Sequence, residues 1–121
     1  MPILEVEVVL RPNEFLLSDL AARLAEAAAG ALASPKGSVW VKLRTIQLTE
    51  YAENGELPEA VHPVFVRVLK SKVPRRGELE QEIARLTEAL AQACERPAEN
   101  VHVIYEPDGT GRVAFGGKLV K

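Results

Sequence analysis

The chain has 121 residues, 47% hydrophobic and 26% charged, a composition that is typical of a folded globular protein and excludes disorder as the main state. The formal net charge of −2 lacks the basic excess of a general nucleic-acid-binding protein. One cysteine allows no internal disulfide and no cysteine-pair zinc site, and no apolar run reaches the ~18 residues of a membrane span. Because the N-terminus lacks the pattern of a signal peptide, we expect a cytoplasmic protein with no nucleic-acid or membrane partner.

The N-terminal part of the chain predicts a strand followed by a helix. Residues Ile3 to Leu10 are mostly β-branched or apolar and stop before Pro12, which indicates a strand. Apolar residues then recur at helical spacing, which predicts a helix from about 14 to 33 with Asn13 as its N-cap. The apolar positions of this helix are Leu16, Leu17, Leu20, Leu24, Ala28 and Ala31.

The remaining elements follow in the same order. Val39 to Leu48 alternates between its two faces and predicts a second strand. One face carries Val39, Val41 and Leu43, and the other carries Trp40, Lys42 and Arg44. The second half predicts a strand, a helix and a strand, with tight turns near the end of each half. These segments are Val64 to Lys70, about 77 to 95, Val101 to Glu106, and the turns Asn54-Gly55 and Gly116-Gly117.

The two halves resemble each other when the sequence is shifted by 62 positions without a gap. Prolines, alternating valines and a glycine coincide, and these matches count for more than matches within alanine-rich helices. The coinciding pairs include Pro12 with Pro74, Ala22-Arg23-Leu24 with Ala84-Arg85-Leu86, Pro35 with Pro97, Val39 with Val101, Val41 with Val103, Gly55 with Gly117 and Leu57 with Leu119. We therefore predict one domain made of two repeats, residues 1–60 and 61–121.

Two β-α-β repeats predict an α+β fold, with a four-stranded mixed sheet that carries both helices on one face. The uncovered face is expected to mix apolar and cationic side chains, which favours oligomerisation through that face or its edges. The residues expected there are Val6, Val8, Trp40, Lys42, Arg44, Val66, Val68, His102 and Ile104.

The start of the chain resembles the tautomerase superfamily. Pro2 directly follows Met1 and begins a strand, and a β-α-β unit of about 60 residues ends in a glycine-containing hairpin. The segment 113–119 resembles the Gly-Gly segment that closes 4-oxalocrotonate tautomerase, and the fused length resembles 5-carboxymethyl-2-hydroxymuconate isomerase and macrophage migration inhibitory factor. The resemblance implies a tautomerase-like trimeric fold and a cytoplasmic enzyme that uses no cofactor and no metal.

The resemblance makes Pro2 the expected catalytic residue. If Met1 is removed, Pro2 is a secondary amine, and burial and nearby cations lower the pKa of such an amine below the ~7.7–8.0 of a free α-amino group. A neutral amine can move a proton along a conjugated oxo-acid by a keto–enol or 1,3-proton shift. The expected function is therefore a cofactor-independent tautomerase acting on an unsaturated oxo- or hydroxy-acid.

Cations are expected around Pro2 because the reaction creates a dienolate. Trp40 stands where the family carries a strand arginine, and His102 stands where longer members place an aromatic that borders the pocket. In a trimer, some of these groups can come from a neighbouring subunit. The expected residues are Arg11, Lys42, Arg44, Lys70 and Lys72 as cations, with Trp40 and His102 as further substrate-binding residues.

Other readings stay open at this point. The missing strand arginine, and the loss of the basic amine if Met1 is retained, favour a non-catalytic trimeric binding or scaffold protein of the same fold. A decarboxylase or dehalogenase that uses the same proline is a further alternative, and a ferredoxin-like ligand-binding module is more distant. Cys94 falls on the apolar stripe of the second helix and is expected to be buried and inert.

Overall fold

The computed structural model describes residues 2–55 and 61–121, so Met1 and Leu57 of the predicted repeat lie outside the described residues. These described residues form six strands and two α-helices, with short 3-10 turns at Leu48–Glu50 and Ala98–Asn100. The elements are β1 (Ile3–Val9), α1 (Leu20–Leu32), β2 (Trp40–Ile46), β3 (Val64–Leu69), α2 (Arg76–Cys94), β4 (Val101–Tyr105), β5 (Ala114–Phe115) and β6 (Lys118–Leu119).

The main sheet has the strand order β2-β1-β3-β4. β1 pairs with β2 and β3 pairs with β4 in parallel, whereas the central pair of β1 and β3 is antiparallel. Each parallel pair is connected through a helix, and α1 and α2 pack against each other over the same face. The predicted α+β fold is confirmed, and the four predicted strands are found with ends shifted by at most two residues.

The core lies between the sheet and the two helices. Every second residue of β1 and β3 is fully buried against apolar side chains of α1 and α2. These residues are Leu4, Val6, Val8, Val64, Val66 and Val68 on the strands and Leu24, Ala28, Leu86 and Leu90 on the helices, all 0% exposed.

The uncovered face differs from the prediction. Val6, Val8, Val66 and Val68 were expected there, which is wrong, because all four lie in the core. Charged residues occupy the alternate positions of β1 and β3, and a charge is too costly to bury without a partner. The uncovered face therefore carries three rows of paired residues: Trp40, Ile3 and Leu69; Lys42, Glu5, Arg67 and Ile104; and Arg44, Glu7, Phe65 and His102.

The first helix begins later than predicted. Residues 14–19 are not helical, α1 starts at Leu20, and Asn13 has a φ of 60° instead of capping a helix. The Glu14 amide donates to the carbonyl of Arg11 at 3.1 Å, so Pro12 and Asn13 are the central residues of a β-turn. Proline followed by a residue with positive φ is the pattern of a type II turn. The turn directs the Glu14 carboxylate into the interior and leaves Phe15 91% exposed.

Both helices end in the same way, at positions that correspond in the predicted repeat. Ala33 and Glu95 adopt left-handed conformations with φ of 51° and 56°. The cap amides after α1 donate to the carbonyls of Ala29 and Gly30, and those after α2 donate to Ala91 and Gln92, each again 62 positions apart. The division of the chain into two repeats, residues 1–60 and 61–121, stays a prediction from the sequence.

Candidate functional site

Pro2 lies at the end of the sheet where β1 and β2 begin and β3 and β4 end. Its side chain is buried, and its carbonyl oxygen accepts a hydrogen bond of 3.0 Å from the Trp40 amide. Ile3 pairs with Leu69, so the next step outward along the β1–β3 ladder brings Pro2 opposite Lys70. The structure thus brings the backbones of Pro2 and Trp40 into contact, and an extension of the ladder brings Lys70 to the same end of the sheet. The Trp40 side chain itself lies on the uncovered face, opposite to that of Pro2.

The C-terminal hairpin folds over this end of the sheet. Its turn is formed by Gly116 and Gly117, whose φ values of 56° and 84° suit the tight type I′ turn that joins β5 to β6. The Phe115 and Trp40 rings meet in a T-shaped arrangement, with the centroids 5.1 Å apart and the planes at 90°. A small cavity of about 200 Å³ lies against these two aromatic rings, lined also by Gly37 and Ser38.

Lys70 belongs to a hydrogen-bonded cluster between the sheet and α2. Its Nζ lies 2.8 Å from Oε1 of Glu82, and the Tyr105 hydroxyl donates to Oε2 of the same carboxylate at 2.5 Å. The side chains of Lys70 and Glu82 are only 17% and 8% exposed. Burial and then the bond to Glu82 raise the pKa of Tyr105 far above its ordinary value, so its phenol stays a protonated donor.

Sequence reasoning did not identify Phe115, Glu82 or Tyr105. A usable signal existed for Glu82, because it precedes Leu86 and Leu90 at intervals of four on α2, which places a carboxylate on the buried stripe. A buried carboxylate requires a partner, and that requirement points to a nearby lysine or phenol. No sequence signal located Phe115, since its place beside Trp40 depends on how the hairpin folds back.

Lys42, Arg44 and His102 project from the uncovered face of the sheet, whereas Pro2 lies on the face covered by the helices. Lys42 Nζ is 3.1 Å from Glu5 Oε1, and Arg44 lies opposite Glu7. The His102 ring packs 5.5 Å from the Phe65 ring.

Arg11 is far from Pro2 in the same chain. It follows the opposite end of β1, and the seven residues of this strand alone span about 20 Å at ~3.3 Å per residue. Its Nη2 donates to the carbonyl of Glu95 at 2.7 Å, and its Nη1 lies 3.4 Å from Glu14 Oε2. Lys72, named with the other cations, is exposed in the loop after β3.

A larger cavity, of about 400 Å³, opens on the uncovered face next to Ile3. It contains the Lys42–Glu5 pair and a second pair, in which Arg67 Nη1 lies 3.0 Å from Glu106 Oε1. The further lining residues are Leu69, Arg112 and Val113. Its cations thus lie among carboxylates that partly neutralise them.

In residues 2–55 and 61–121, no three histidine, cysteine, aspartate or glutamate side chains are grouped as metal ligands. Neither α1 nor α2 has the length and apolar character needed to cross a bilayer.

No protein-family model matches the sequence, and no curated protein matches it. Among solved structures, a native fused 4-OT has a TM-score of 0.71 at 21% identity, over 98% of this chain and 95% of that one. A fused 4-OT described as a symmetric trimer has a TM-score of 0.73 at 17% identity, over 98% and 94% of the chains. The macrophage migration inhibitory factor of Trichinella spiralis has a TM-score of 0.72 at 15% identity, over 97% and 98% of the chains. The chain therefore has the same fold as fused 4-OT and macrophage migration inhibitory factor.

Proposed function

We propose that this protein is a cofactor-independent tautomerase acting on an unsaturated oxo- or hydroxy-acid, with the amine of Pro2 as acid and base. The observation that carries the proposal is the position of Pro2, buried directly before a central strand, where one step beyond the last ladder pair, Ile3 with Leu69, reaches Lys70. The fold shared with fused 4-OT supports it.

The reaction needs a free amine, so removal of Met1 is its first requirement. Burial disfavours the ammonium form of Pro2, which leaves a neutral amine near pH 7. The amine takes a proton from the carbon next to the carbonyl, and the C–H electrons move into the conjugated system as a dienolate. The Lys70 ammonium stabilises the developing negative charge. The Pro2 ammonium then returns the same proton to oxygen or to a more distant carbon, so the product is an isomer.

The active form in this proposal is a homotrimer of the 13.2 kDa chain. A sheet face with Trp40 53% and Ile104 44% exposed favours a protein partner over solvent. Arg11, Lys42, Arg44 and His102 do not reach Pro2 within one chain, so they contribute to its site only if a neighbouring subunit supplies them. Light scattering and native mass spectrometry test the trimer, and a monomer under assay conditions contradicts it.

The direct test compares Pro2→Ala with Pro97→Ala, which changes an exposed proline at the start of a short 3-10 turn. Intact mass first establishes that Met1 is absent. Tautomerisation of phenylpyruvate and of 2-hydroxymuconate is then followed spectrophotometrically. We expect Pro2→Ala to lose at least a hundredfold in kcat/KM and Pro97→Ala to keep it. Equal turnover by both variants refutes the role of Pro2.

A covalent probe tests the amine independently of turnover. One protein of the same fold, with a TM-score of 0.73 and 17% identity, is described as inactivated by 2-oxo-3-pentynoate. Here the Pro2 nitrogen is expected to add to the alkyne carbon conjugated with the carbonyl, while a proton goes to the adjacent carbon. The protein then gains the whole mass of the reagent on its N-terminal peptide. Labelling that persists in Pro2→Ala contradicts this assignment.

A non-catalytic binding protein is the second candidate, since Lys42, Arg67 and Lys70 are already paired with carboxylates. A trimer with a free Pro2 amine that turns over none of these substrates favours this candidate. Release of carbon dioxide or halide from a 3-halo- or 2-oxo-diacid, lost in Pro2→Ala, indicates instead a decarboxylase or dehalogenase that uses the same amine.

A further inference from the structure

Extending the ladder between β1 and β3 by one step beyond its last pair places the side chains of Pro2 and Lys70 together. Leu4 pairs with Val68 and Ile3 with Leu69, and one more step pairs Pro2 with Lys70. Directly opposed residues of an antiparallel pair lie ~4.5–5.5 Å apart at Cα, with their side chains on the same face. That face is the one covered by the helices, where Pro2 is buried and the Lys70 side chain is 17% exposed.

The Lys70 ammonium is fixed by a carboxylate that is itself fixed. Glu82 uses Oε1 for Lys70 at 2.8 Å and Oε2 for the Tyr105 hydroxyl at 2.5 Å. Val68 pairs with Tyr105, so the phenol rises from the covered face beside Lys70. An exposed ion pair leaves a lysine free among many rotamers, whereas a buried carboxylate with both oxygens bound holds it in one position.

We propose that Lys70 is the cation that faces the Pro2 amine and the carboxylate of the substrate, and that Glu82 and Tyr105 are positioning residues that hold it there. This inference rests on the proposed function, because it assigns roles around the same base. The competing explanation is a purely structural pair that joins β3 to α2. The two explanations differ in one measurable property. If Lys70 faces Pro2, removing the charge of Lys70 or of Glu82 shifts the titration midpoint of the Pro2 amine, and if the pair is purely structural, it does not.

The charges around Pro2 predict opposite effects for the two partners. Lys70 disfavours a second positive charge on Pro2, and Glu82 favours it. Arg85 on α2 is a further positive charge near this cluster. Its charge lowers the pKa of Tyr105, and its Nε donates to the carbonyl of Ala31 at 3.2 Å. The last turn of α1, residues 29–32, and the segment 37–38 before β2 carry no charged side chain. Lys70→Met should therefore raise the titration midpoint of the Pro2 amine, and Glu82→Gln should lower it.

The experiment measures that midpoint in resting protein without substrate. Protein labelled with ¹⁵N-proline and shown by mass to lack Met1 is titrated by NMR through the Pro2 nitrogen resonance. We expect a rise of about 0.5–1 pH unit in Lys70→Met, a fall of similar size in Glu82→Gln and near-cancellation in the double variant. Glu80→Gln is the matched control, because Glu80 forms an exposed ion pair with Arg76 on the same helix.

The positioning role of Tyr105 has its own readout. Tyr105→Phe keeps every charge but frees one oxygen of Glu82, so KM for phenylpyruvate should rise about threefold to tenfold with kcat within twofold. Tyr51→Phe is its control. The Tyr51 hydroxyl also donates to a carboxylate, that of Glu53 at 2.5 Å, but this bond lies outside the Lys70–Glu82–Tyr105 cluster.

An unchanged Pro2 midpoint in both Lys70→Met and Glu82→Gln overturns the inference, even if Pro2→Ala abolishes turnover and upholds the proposed function. If the charge variants move the midpoint as expected while Pro2→Ala keeps turnover, the electrostatic arrangement stands and the proposed function falls. Circular dichroism and thermal unfolding check each variant. If Glu82→Gln does not fold, Lys70→Met and Tyr105→Phe decide the question.

Discussion

Arg96 and Glu14 form a bidentate ion pair, with Nη2 2.7 Å from Oε1 and Nη1 3.1 Å from Oε2. The Arg96 side chain is 1% exposed, and its other N–H groups donate to the carbonyls of Val9, His62 and Cys94 at 3.0–3.2 Å. All the donors of the guanidinium are therefore satisfied. This one side chain links the end of α2 to the end of β1, to the turn after it and to the residues before β3.

Replacing Arg96 with methionine should be strongly destabilising. The variant takes the Arg96 donors from three carbonyls and from a partly buried carboxylate, which keeps only its bonds from Arg11. Breaking a buried pair from one side costs about 3–5 kcal/mol. Urea denaturation should show this loss in the free energy of unfolding. The control is Arg23→Met, whose partner Asp19 is 63% exposed, and it should change stability by less than about 0.5 kcal/mol. Equal effects in the two variants contradict the interior role of Arg96.

The same pair predicts how stability depends on pH. Burial alone raises the pKa of Glu14, but the hydrogen bonds from Arg96 and from the Arg11 amide, with the charges of both arginines, bring it below the ordinary 4.5. A carboxyl whose pKa is lower in the folded state stabilises the protein above the ordinary pKa, and this stabilisation disappears as pH falls through the folded value. The stability difference between wild type and Glu14→Gln should be constant from about pH 6 to 8 and shrink below 4.5. A difference that is flat down to pH 3 contradicts the lowered pKa.

The alternation of apolar and polar residues, found in both halves of the sequence, was sufficient to locate the four strands of the sheet. This alternation arises because one side of each strand is buried. The choice of buried face in β1 and β3 was wrong, although Glu5 and Glu7 mark the solvent side by the cost of burying a charge. The late start of α1, in contrast, could not be predicted from the local sequence. Glu14 leaves the helical pattern because Arg96, 82 residues away, binds its carboxylate, and no local signal reports such a contact.

The candidate site was predicted only where the strand register determines it. Lys70 and Trp40 reach the Pro2 end through backbone pairing, which alternation and connectivity can predict. Phe115 reaches it through the C-terminal hairpin and Tyr105 through Glu82, and these are tertiary contacts between separate elements. The placement of Arg11, Arg44 and His102 near Pro2 stays a prediction that depends on the trimer.

Cys94 should react slowly with thiol reagents in the folded protein. It is 6% exposed, and burial raises its pKa to about 11 although Arg96 opposes the shift. Because the thiolate is the reactive form, modification by an aromatic disulfide reagent at pH 8 should be at least about a hundredfold slower in buffer than in 6 M guanidinium. Equal rates in the two solvents mean that the end of α2 opens readily.

The contact between Phe115 and Trp40 can be followed through the only tryptophan of the chain. Phe115→Ala removes an edge-to-face partner worth about 0.5–1.5 kcal/mol and should loosen the hairpin from the sheet. We expect the emission maximum of Trp40 to move to longer wavelength and its quenching by acrylamide to increase. Phe15→Ala, at a 91% exposed position beyond the opposite end of β1, is the control and should leave the emission unchanged. If both variants emit like wild type, the hairpin does not shield Trp40.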